Sequence, residues 1–338
     1  MDEFITLNHG SGGKHSQKLI KDVFLGRFGI EEPLTDSAVL ATGDSGSAWL
    51  AFTTDSYVVD PLFFPGGNIG KLAICGTIND LAVAGADPEY IAVSFIIEEG
   101  FPVADLERIA ETMADEALNA GVRIVAGDTK VVGKGKCDKI FITTTGTGFL
   151  RPGREQISKG GNVREGDRLL VNGPLGNHAV AVLGARNNLS FVSGVLSDCC
   201  SLNGLIRNVL ESCDEIHFMR DLTRGGLAAV LNELKDIIRK GIVINEEAVP
   251  VDESVKGLCE VLGFDPFSLA NEGKILVVAG EEEYLKVLDI MLSHPAGAGS
   301  SVIGKIVREN PDHVLLNTVA GGRRIIEMPA GLQLPRIC

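Results

Sequence analysis

The last residue of the chain is a cysteine, and its thiol is the first candidate for chemistry. Cys338 closes the run QLPRIC, which begins at residue 333. Because chain ends are usually mobile and a thiolate is a strong nucleophile, a terminal cysteine could carry a covalent cargo between two sites. The alternative is an ordinary frayed end that happens to finish in cysteine.

Aspartates recur along the chain where strands end or turns begin. Each lies near Thr, Ser, Asn or Gly, and they are Asp36, Asp55, Asp80, Asp128 and Asp221. Any one of them alone could be a helix cap or a turn residue. Together they favour a hard cation, which prefers several carboxylates plus phosphate oxygens. Since bare carboxylates would repel a polyphosphate, the acidic residues predict Mg²⁺ bound together with ATP.

A glycine-rich run near the N-terminus, HGSGGK at 9–14, could approach a phosphate. Its candidate contacts are Gly10, Gly12, Gly13 and Lys14. Glycine lets backbone N–H groups come close to an anion, and the lysine adds positive charge. The spacing is not that of a Walker loop, so the run by itself is a weak signal.

Two further turns could meet an anion or a ligand. Asp221, Thr223 and Arg224 precede a helix predicted at about 224–239, and a helix N-terminus favours anions. The run NGPLGNH at 172–178 contains His178. That histidine could contact a ligand, although a histidine at a helix start is more often structural.

Helical and strand patterns alternate along the chain and would hold these residues. Strands are predicted at 48–54, 91–97, 122–126, 139–149 and 168–172, and helices at 68–85, 103–120, 177–186 and about 224–239. The clearest helix, 103–120, carries Leu106, Ile109, Met113 and Ala117 on one face. Residues 313–328 predict a hairpin that turns at Gly321-Gly322. The mixture indicates an α/β protein.

A polar segment at 151–166, which contains Pro and Gly, divides the chain. We therefore expect an N-terminal domain at 1–152, a C-terminal α/β domain at 153–328 and a mobile tail at 329–338. The length of 338 residues suits about two domains. Ten extended residues reach roughly 33 Å, which is enough to cross a cleft between domains.

Composition excludes several classes of protein. The net charge is −14 with no basic tract, so nucleic-acid binding is not expected. No apolar run approaches the length of about 18 residues that a membrane span needs, and the start lacks a signal peptide. These features predict a cytoplasmic protein. The seven cysteines form no C-x-x-C pair, so free thiols are expected.

The order TTDS, IND, AGD, GP-x-G and RD-x-TRGG resembles the ATP-dependent superfamily of aminoimidazole ribonucleotide synthetase, selenophosphate synthetase and thiamine-monophosphate kinase. Within it the chain resembles the hydrogenase maturation family HypE. The specific runs are HGSGGK at 9–14, the block at 53–86, VAGDTKVV at 125–132, MRDLTRGGLA at 219–228, NEGK at 271–274 and the terminal PRIC. The resemblance covers nearly the whole chain.

The resemblance implies a fold and an activity. HypE proteins receive a carbamoyl group on the terminal cysteine from the carbamoyltransferase HypF. They then use ATP and Mg²⁺ to dehydrate the S-carboxamide to an S-cyanate, and the HypC–HypD complex accepts the cyanide for the iron of [NiFe]-hydrogenase. The implied fold is a two-domain α/β (α+β) homodimer. Its N-terminal sheets, in the ATP-binding and dimerisation domain, form a dimeric β-barrel, and its C-terminal domain is an α/β sandwich.

The resemblance also implies roles for residues. Cys338 would be the acceptor, and Asp128 and Lys130 would face ATP phosphates across the dimer interface. The implied metal ligands are Asp36, Asp55, Asp80 and Asp221. Glu272 is the first candidate for the base that takes the nitrogen proton. Lys134 is the second, or a clamp for the developing phosphate charge.

Two other functions stay open from the sequence. A selenophosphate synthetase-like enzyme or small-molecule kinase would use the same ATP site and would not need Cys338. A non-catalytic carrier would hold the group on its tail without converting it. The chemical fate of a group attached to Cys338 separates all three.

Overall fold

A computed structural model describes residues 4–10, 12–30, 33–42, 48–187, 194–331, 334 and 336–338. Position 11 of the HGSGGK run and positions 332, 333 and 335 of the tail lie outside the described residues. The strands are β1 Ala38–Thr42, β2 Ala48–Tyr57, β3 Phe63–Phe64, β4 Gly67–Asn68, β5 Ala86–Glu98, β6 Arg123–Val132, β7 Ile140–Leu150, β8 Arg168–Val171, β9 Ile216–Asp221, β10 Gly241–Asn245, β11 Ile275–Ala279, β12 Ser301–Val307, β13 Val314–Asn317 and β14 Arg323–Ile325.

The helices alternate with the strands. They are α1 Lys14–Leu19, which continues through a π-helical segment, Ile20–Leu25, into α2 Gly26–Phe28, then α3 Ile69–Val83, α4 Val103–Ala120, α5 Asn177–Asn187, α6 Asn203–Ser212, α7 Gly226–Ile238, α8 Glu253–Leu262 and α9 Tyr284–Leu292. Short 3₁₀ turns lie at Leu7–Gly10, Ile157–Lys159, Glu246–Ala248, Pro266–Ser268 and Pro295–Gly297. Among the described helices, none is long and apolar enough to cross a membrane.

The first sheet has the order β1-β2-β7-β5-β6, and α3 and α4 pack against it. Helix α3 is almost wholly buried, and its start is capped by Asn68, whose Oδ1 accepts from the backbone N of Gly70 at 2.8 Å. A Cβ at Gly76 would overlap Tyr57 Oη. The small residues of α3 therefore allow close packing against the sheet.

In this single chain the five-stranded sheet is open. Strand β6 lies at one edge, pairs with β5 alone among the described strands, and is exposed over nearly its whole length. Exposed edge strands tend to pair with another chain. A barrel of the kind that the family resemblance implies would need a second copy.

The second sheet has the order β14-β13-β10-β12-β8-β11-β9. Residues that alternate along its strands face two separate cores. One core contains α7, and the other contains α6 and α9. A sheet with helices on both faces is the α/β sandwich that the resemblance implied.

The predicted elements are confirmed, and three strands extend beyond their predicted limits. Strand β5, predicted at 91–97, begins at Ala86. Strand β2 continues through Asp55 to Tyr57. The strand predicted at 122–126 continues to Val132, so the GDTK run at 127–130 is not a turn. The physical reason is tertiary pairing, since Ser94 of β5 lies opposite Asp128 in a parallel ladder. The expected domain boundary at 151–166 contains turns and one short 3₁₀ helix, and the domain limits stay predictions.

Candidate active site

Four of the aspartates meet at one cleft. Asp36 precedes β1, Asp55 lies on β2, Asp80 lies inside α3 and Asp221 ends β9. Hydroxyl groups support them. Thr53 Oγ1 lies 2.8 Å from Asp80 Oδ2, and Tyr57 Oη donates to Asp55 Oδ2 at 3.4 Å. We call Asp36, Asp55, Asp80 and Asp221 the acidic cluster.

Burial and mutual repulsion disfavour ionisation of the acidic cluster. Burial raises the pKa of Asp36 from 3.8 to about 6, and the nearby carboxylates of Glu233 and Asp55 add to this while Arg220 opposes it. Burial also raises the pKa of Asp80 and of Asp221 well above the usual range, with the other aspartates contributing. Such raised values are typical of functional sites.

The donor set of the acidic cluster fits a hard cation. Asp36 Oδ2 is buried and has no hydrogen-bond partner among the described residues, although Arg220 Nε lies 3.4 Å away. A divalent cation prefers such carboxylate oxygens and would relieve their repulsion. In the part of the chain that the structure describes, no three His, Cys, Asp or Glu side chains already form a metal-ion site.

Glu272 lies beside the acidic cluster on the NEGK loop before β11. Its side chain is buried, and Oε1 has no hydrogen-bond partner among the described residues. Its backbone N donates to Asp198 Oδ1 at 3.1 Å. Burial raises the pKa of Glu272 well above its ordinary value, and Asp221 and Asp198 add to the shift. Glu272 is thus a buried carboxyl group whose surroundings favour its protonated form.

The chain end lies in the same cleft. The backbone N of Val58 donates to Cys338 O at 3.1 Å, and Cys338 lines a cavity of about 110 Å³ together with Arg224. Burial raises the pKa of Cys338 to about 12, with Glu272 contributing and Arg224 opposing. Inside the cleft the thiol is therefore protonated and a poor nucleophile. The described last residues of the tail, 336–338, are docked here, and the mobility of the tail stays a prediction.

The N-terminal glycine run packs against the mouth of the cleft. A Cβ at Gly12 would come within 2.9 Å of Arg224 O, and Gly12 and Gly13 have positive φ angles of 72° and 79°. The Lys14 backbone N donates to Pro329 O at 3.1 Å, and Arg224 Nη1 donates to Gly10 O at 3.2 Å. The run thus holds the start of the tail as well as lying where an anion could bind.

Three predicted residues lie away from the acidic cluster of the same chain. Asp128 and Lys130 pair with each other on the exposed strand β6, with Lys130 Nζ 2.6 Å from Asp128 Oδ2. Lys134 lies in an exposed turn between β6 and β7. Thr223 is half-buried just before α7, next to Arg224.

Sequence reasoning missed one site residue, Arg220, and did not predict the contact that another, His178, makes. Arg220 is buried and donates to Glu233 Oε2 at 2.7 Å beside Asp36. His178, considered as a ligand contact, lies with Nε2 2.7 Å from Ile337 O, so it touches the tail itself. Arg220 directly precedes Asp221 in the RD-x-TRGG run, and this position in the motif was a sequence signal for Arg220. The contact of His178 carries no sequence signal because it is made to a backbone carbonyl.

Two family descriptions match the chain, one for each half. "AIR synthase related protein, N-terminal domain" matches residues 34–150, and "AIR synthase related protein, C-terminal domain" matches residues 164–316. Both halves of the acidic cleft thus fall in matched regions, with Asp36, Asp55 and Asp80 in the first and Asp221 in the second.

Individual proteins resemble the chain over nearly its full length. A carbamoyl dehydratase HypE of Rhodobacter capsulatus is 51% identical over 342 residues, which covers 100% of this chain and 99% of that protein. The solved HypE–HypF complex has a chain with 46% identity and a TM-score of 0.86, covering 92% of this chain and 99% of that one. A HypE structure in complex with ATP has 42% identity and a TM-score of 0.82, covering 98% and 100%.

Proposed function

The chain belongs to the HypE family of AIR synthase-related proteins, and we propose on that basis that it is an ATP-dependent carbamoyl dehydratase. It dehydrates an S-carboxamide on Cys338 to an S-cyanate and so supplies cyanide during [NiFe]-hydrogenase maturation. The observation that carries this proposal is the position of Cys338, which lines a cavity with Arg224 and is close enough to Glu272, Asp55 and Asp221 for their charges to act on its thiol. A small-molecule kinase would have no use for a terminal thiol there.

The reaction removes one oxygen and two protons from the carboxamide. The carboxamide oxygen attacks the γ-phosphorus of ATP, and ADP leaves. The two nitrogen protons are then lost, and the C–O bond breaks with departure of phosphate, which leaves a C≡N bond on sulfur. Phosphorylation is required because hydroxide is a poor leaving group. The cavity of about 110 Å³ beside Cys338 suits a group as small as a carboxamide.

Glu272 is our proposed base for a nitrogen proton. It is buried, its Oε1 has no hydrogen-bond partner among the described residues, and its charge acts on Cys338. A raised pKa makes a carboxylate a stronger base, which suits proton removal near neutral pH. Lys134 stays the second candidate, and its exposed turn gives it less support. Arg224 would stabilise negative charge that develops next to the tail.

Mg²⁺ would be held by Asp36, Asp55, Asp80 and Asp221, where it would neutralise phosphate charge. Two observations support this assignment: Asp36 Oδ2 is buried with no hydrogen-bond partner among the described residues, and the carboxyl group of Asp80 is buried beside the other aspartates. Without a cation, the acidic cluster would repel the triphosphate. Arg224 and the run from Gly10 to Lys14, including Gly12 and Gly13, would contact the nucleotide phosphates, with Thr223 beside them.

A second copy of the chain would complete the nucleotide site. A cavity of about 110 Å³ is smaller than the few hundred Å³ of usual ligand pockets. Asp128 and Lys130 lie on the exposed edge strand β6, where they could reach the cleft of a partner. We therefore propose a homodimer joined through the N-terminal domain, 1–152, with ATP between that domain and residues 153–328.

Loading and delivery require other proteins. A relative was solved as a HypE–HypF complex, and we propose a HypF-type carbamoyltransferase as the donor and a HypC–HypD complex as the cyanide acceptor. Since the docked thiol has a pKa of about 12, loading would take place with the tail, 329–338, outside the cleft. All seven cysteines are free thiols, which fits the reducing cytoplasm that we propose as the site of action.

A serine substitution tests the carrier tail. Cys338→Ser keeps the size of the residue but removes the thiol, and Cys137→Ser, at a half-buried loop cysteine, is the matched control. Both variants are incubated with the HypF-type transferase, carbamoyl donor and Mg·ATP, and protein-bound cyanate is measured. We expect product from wild type and Cys137→Ser and none from Cys338→Ser. Full product formation by Cys338→Ser would refute the proposal.

A further inference from the structure

Residues 336–338 of the tail are held by hydrogen bonds to their backbone carbonyls. The N–H of Val58 donates to Cys338 O at 3.1 Å, and the N–H of Asp60 donates to Arg336 O at 3.3 Å. In addition, the side-chain Nε of Arg336 donates to Val58 O at 2.8 Å. The pairing of 58 with 338 and of 60 with 336 runs antiparallel, like an added strand. A one-residue slip in such a pairing would move the thiol by about 3.3 Å and turn it to the other face.

His178, in the first turn of α5, binds the carbonyl of Ile337, which lies between residues 336 and 338. It is fully buried, with Nε2 2.7 Å from Ile337 O and Nδ1 2.8 Å from Ser197 Oγ. Because Ile337 O can only accept, Nε2 carries the hydrogen and Nδ1 accepts from the Ser197 hydroxyl. The ring is also packed edge-on against Phe64, with centroids 5.4 Å apart. Burial lowers the pKa of His178, so this neutral tautomer persists at neutral pH.

Arg186, in the last turn of α5, holds the next carbonyl. Its Nη2 donates to Arg336 O at 2.7 Å and to Asp60 O at 2.6 Å, and its Nε donates to Asp60 O at 2.8 Å. One guanidinium therefore ties the tail to the segment with which it pairs. Arg336 has a φ of 50°, a left-handed conformation that a residue with a Cβ disfavours. Its side chain also pairs with Asp138.

We propose that His178 and Arg186 are positioning residues that set the register of the tail. They bind the carbonyls of residues 337 and 336, so the thiol of Cys338 faces Glu272 and the acidic cluster rather than solvent. Neither residue contacts the reacting atoms. The inference rests on the proposed function for its catalytic consequence, whereas tail docking itself does not depend on that function.

We call His178 and Arg186, with their hydrogen bonds to the carbonyls of residues 337 and 336, the clasp. Two independent measurements test it. The first is the rate at which iodoacetamide alkylates Cys338 in the protein without carbamoyl group, measured on the C-terminal peptide by mass spectrometry. The second is the ratio of the single-turnover dehydration rate to the rate of carbamoyl loading. His178→Phe keeps a buried ring but removes both hydrogen bonds. His178→Gln can still donate to Ile337 O, and His217→Gln alters another buried histidine in the second domain.

We expect His178→Phe to raise the alkylation rate and lower the dehydration-to-loading ratio, each by about tenfold, which is the usual effect of one lost buried hydrogen bond. His178→Gln should recover most of both, and His217→Gln should change neither. Unchanged alkylation and an unchanged ratio in His178→Phe would overturn the inference. If His178→Phe does not fold, Arg186→Ala carries the same expectations and the same refutation.

A register variant separates the clasp from the proposed function. Insertion of one glycine between Ile337 and Cys338 leaves the clasp residues intact but shifts the thiol. We expect loading to continue and dehydration to fall at least tenfold. Dehydration at the wild-type rate would contradict a register set by the clasp. If wild type never loses water, the proposed function fails, while the alkylation comparison still decides the inference.

Discussion

Replacement of Asp36 by asparagine should stabilise the protein in the absence of divalent cations. Asp36 is paired with Arg220 at 3.4 Å, but Arg220 also holds Glu233 at 2.7 Å. The asparagine therefore does not leave a buried arginine without a carboxylate. What it removes is an ionised carboxylate from a buried acidic cluster. Active sites commonly keep such locally unfavourable groups because their function needs them.

The size of the effect follows from the pKa of Asp36. A carboxyl group whose pKa is raised on folding binds its proton more tightly in the folded state, so stability falls as the pH rises from 3.8 towards about 6. At about 1.4 kcal/mol for each pH unit, the cost above pH 6 is about 3 kcal/mol. For a chain of 338 residues that unfolds as one unit, this corresponds to about 4 °C in the midpoint of thermal unfolding.

The assay is thermal unfolding with a chelator present, at pH 4 and at pH 7.5. Asp36→Asn should unfold about 4 °C above wild type at pH 7.5 and at nearly the same temperature at pH 4. Asp22→Asn is the control, because exposed Asp22 has a pKa lowered by its hydrogen bond to Lys18 and should show no such gain. Added Mg·ATP should stabilise wild type more than Asp36→Asn. A variant less stable than wild type at pH 7.5, or a gain that is equal at both pH values, would refute the reasoning.

Two further substitutions test the surroundings of the base. Glu272→Gln should bind ATP, measured by calorimetry, but lower the rate of water loss by about 10²–10⁴-fold; a loss of ATP binding would remove Glu272 from the role of base. Gly273→Ala should destabilise the protein by about 1–3 kcal/mol, measured by urea unfolding, because the new Cβ would overlap Asp198 O and lie 2.8 Å from Cys200 Sγ. Gly133→Ala, which meets no atom within 4 Å, is its control, and an equal effect of the two alanines would contradict the packing argument.

The sequence predicted elements and motifs well where a local pattern determines them. The helix at 103–120 was predicted at its observed limits because its apolar residues repeat at helical spacing and Gly121, with a φ of 72°, ends it. The approach of Asp36, Asp55 and Asp221 followed from a motif order typical of one superfamily. They lie near one another, since burial raises the pKa of Asp221 and the charges of Asp36 and Asp55 add to that shift, whereas their role as metal ligands stays a prediction.

Features that depend on tertiary pairing were less predictable. The run around Asp128 resembles a turn in sequence but is a strand because β5 pairs with it. The docking of the tail depends on hydrogen bonds from His178 and Arg186 to main-chain carbonyls. Every residue has a backbone carbonyl, so the pattern of side chains in the sequence does not indicate which carbonyl such a donor will bind. The register in which residues 336–338 dock therefore required coordinates, whereas the mobility of the tail stays a prediction.

The intact mass of the protein tests the central claim most directly. Wild-type protein is first carbamoylated by the HypF-type transferase, freed from it, and then incubated with Mg·ATP. The account predicts that the carbamoylated protein loses the mass of one water, in step with release of ADP and phosphate, and that the altered mass maps to Cys338. A carbamoylated Cys338 whose mass stays constant while Mg·ATP is present would contradict the account.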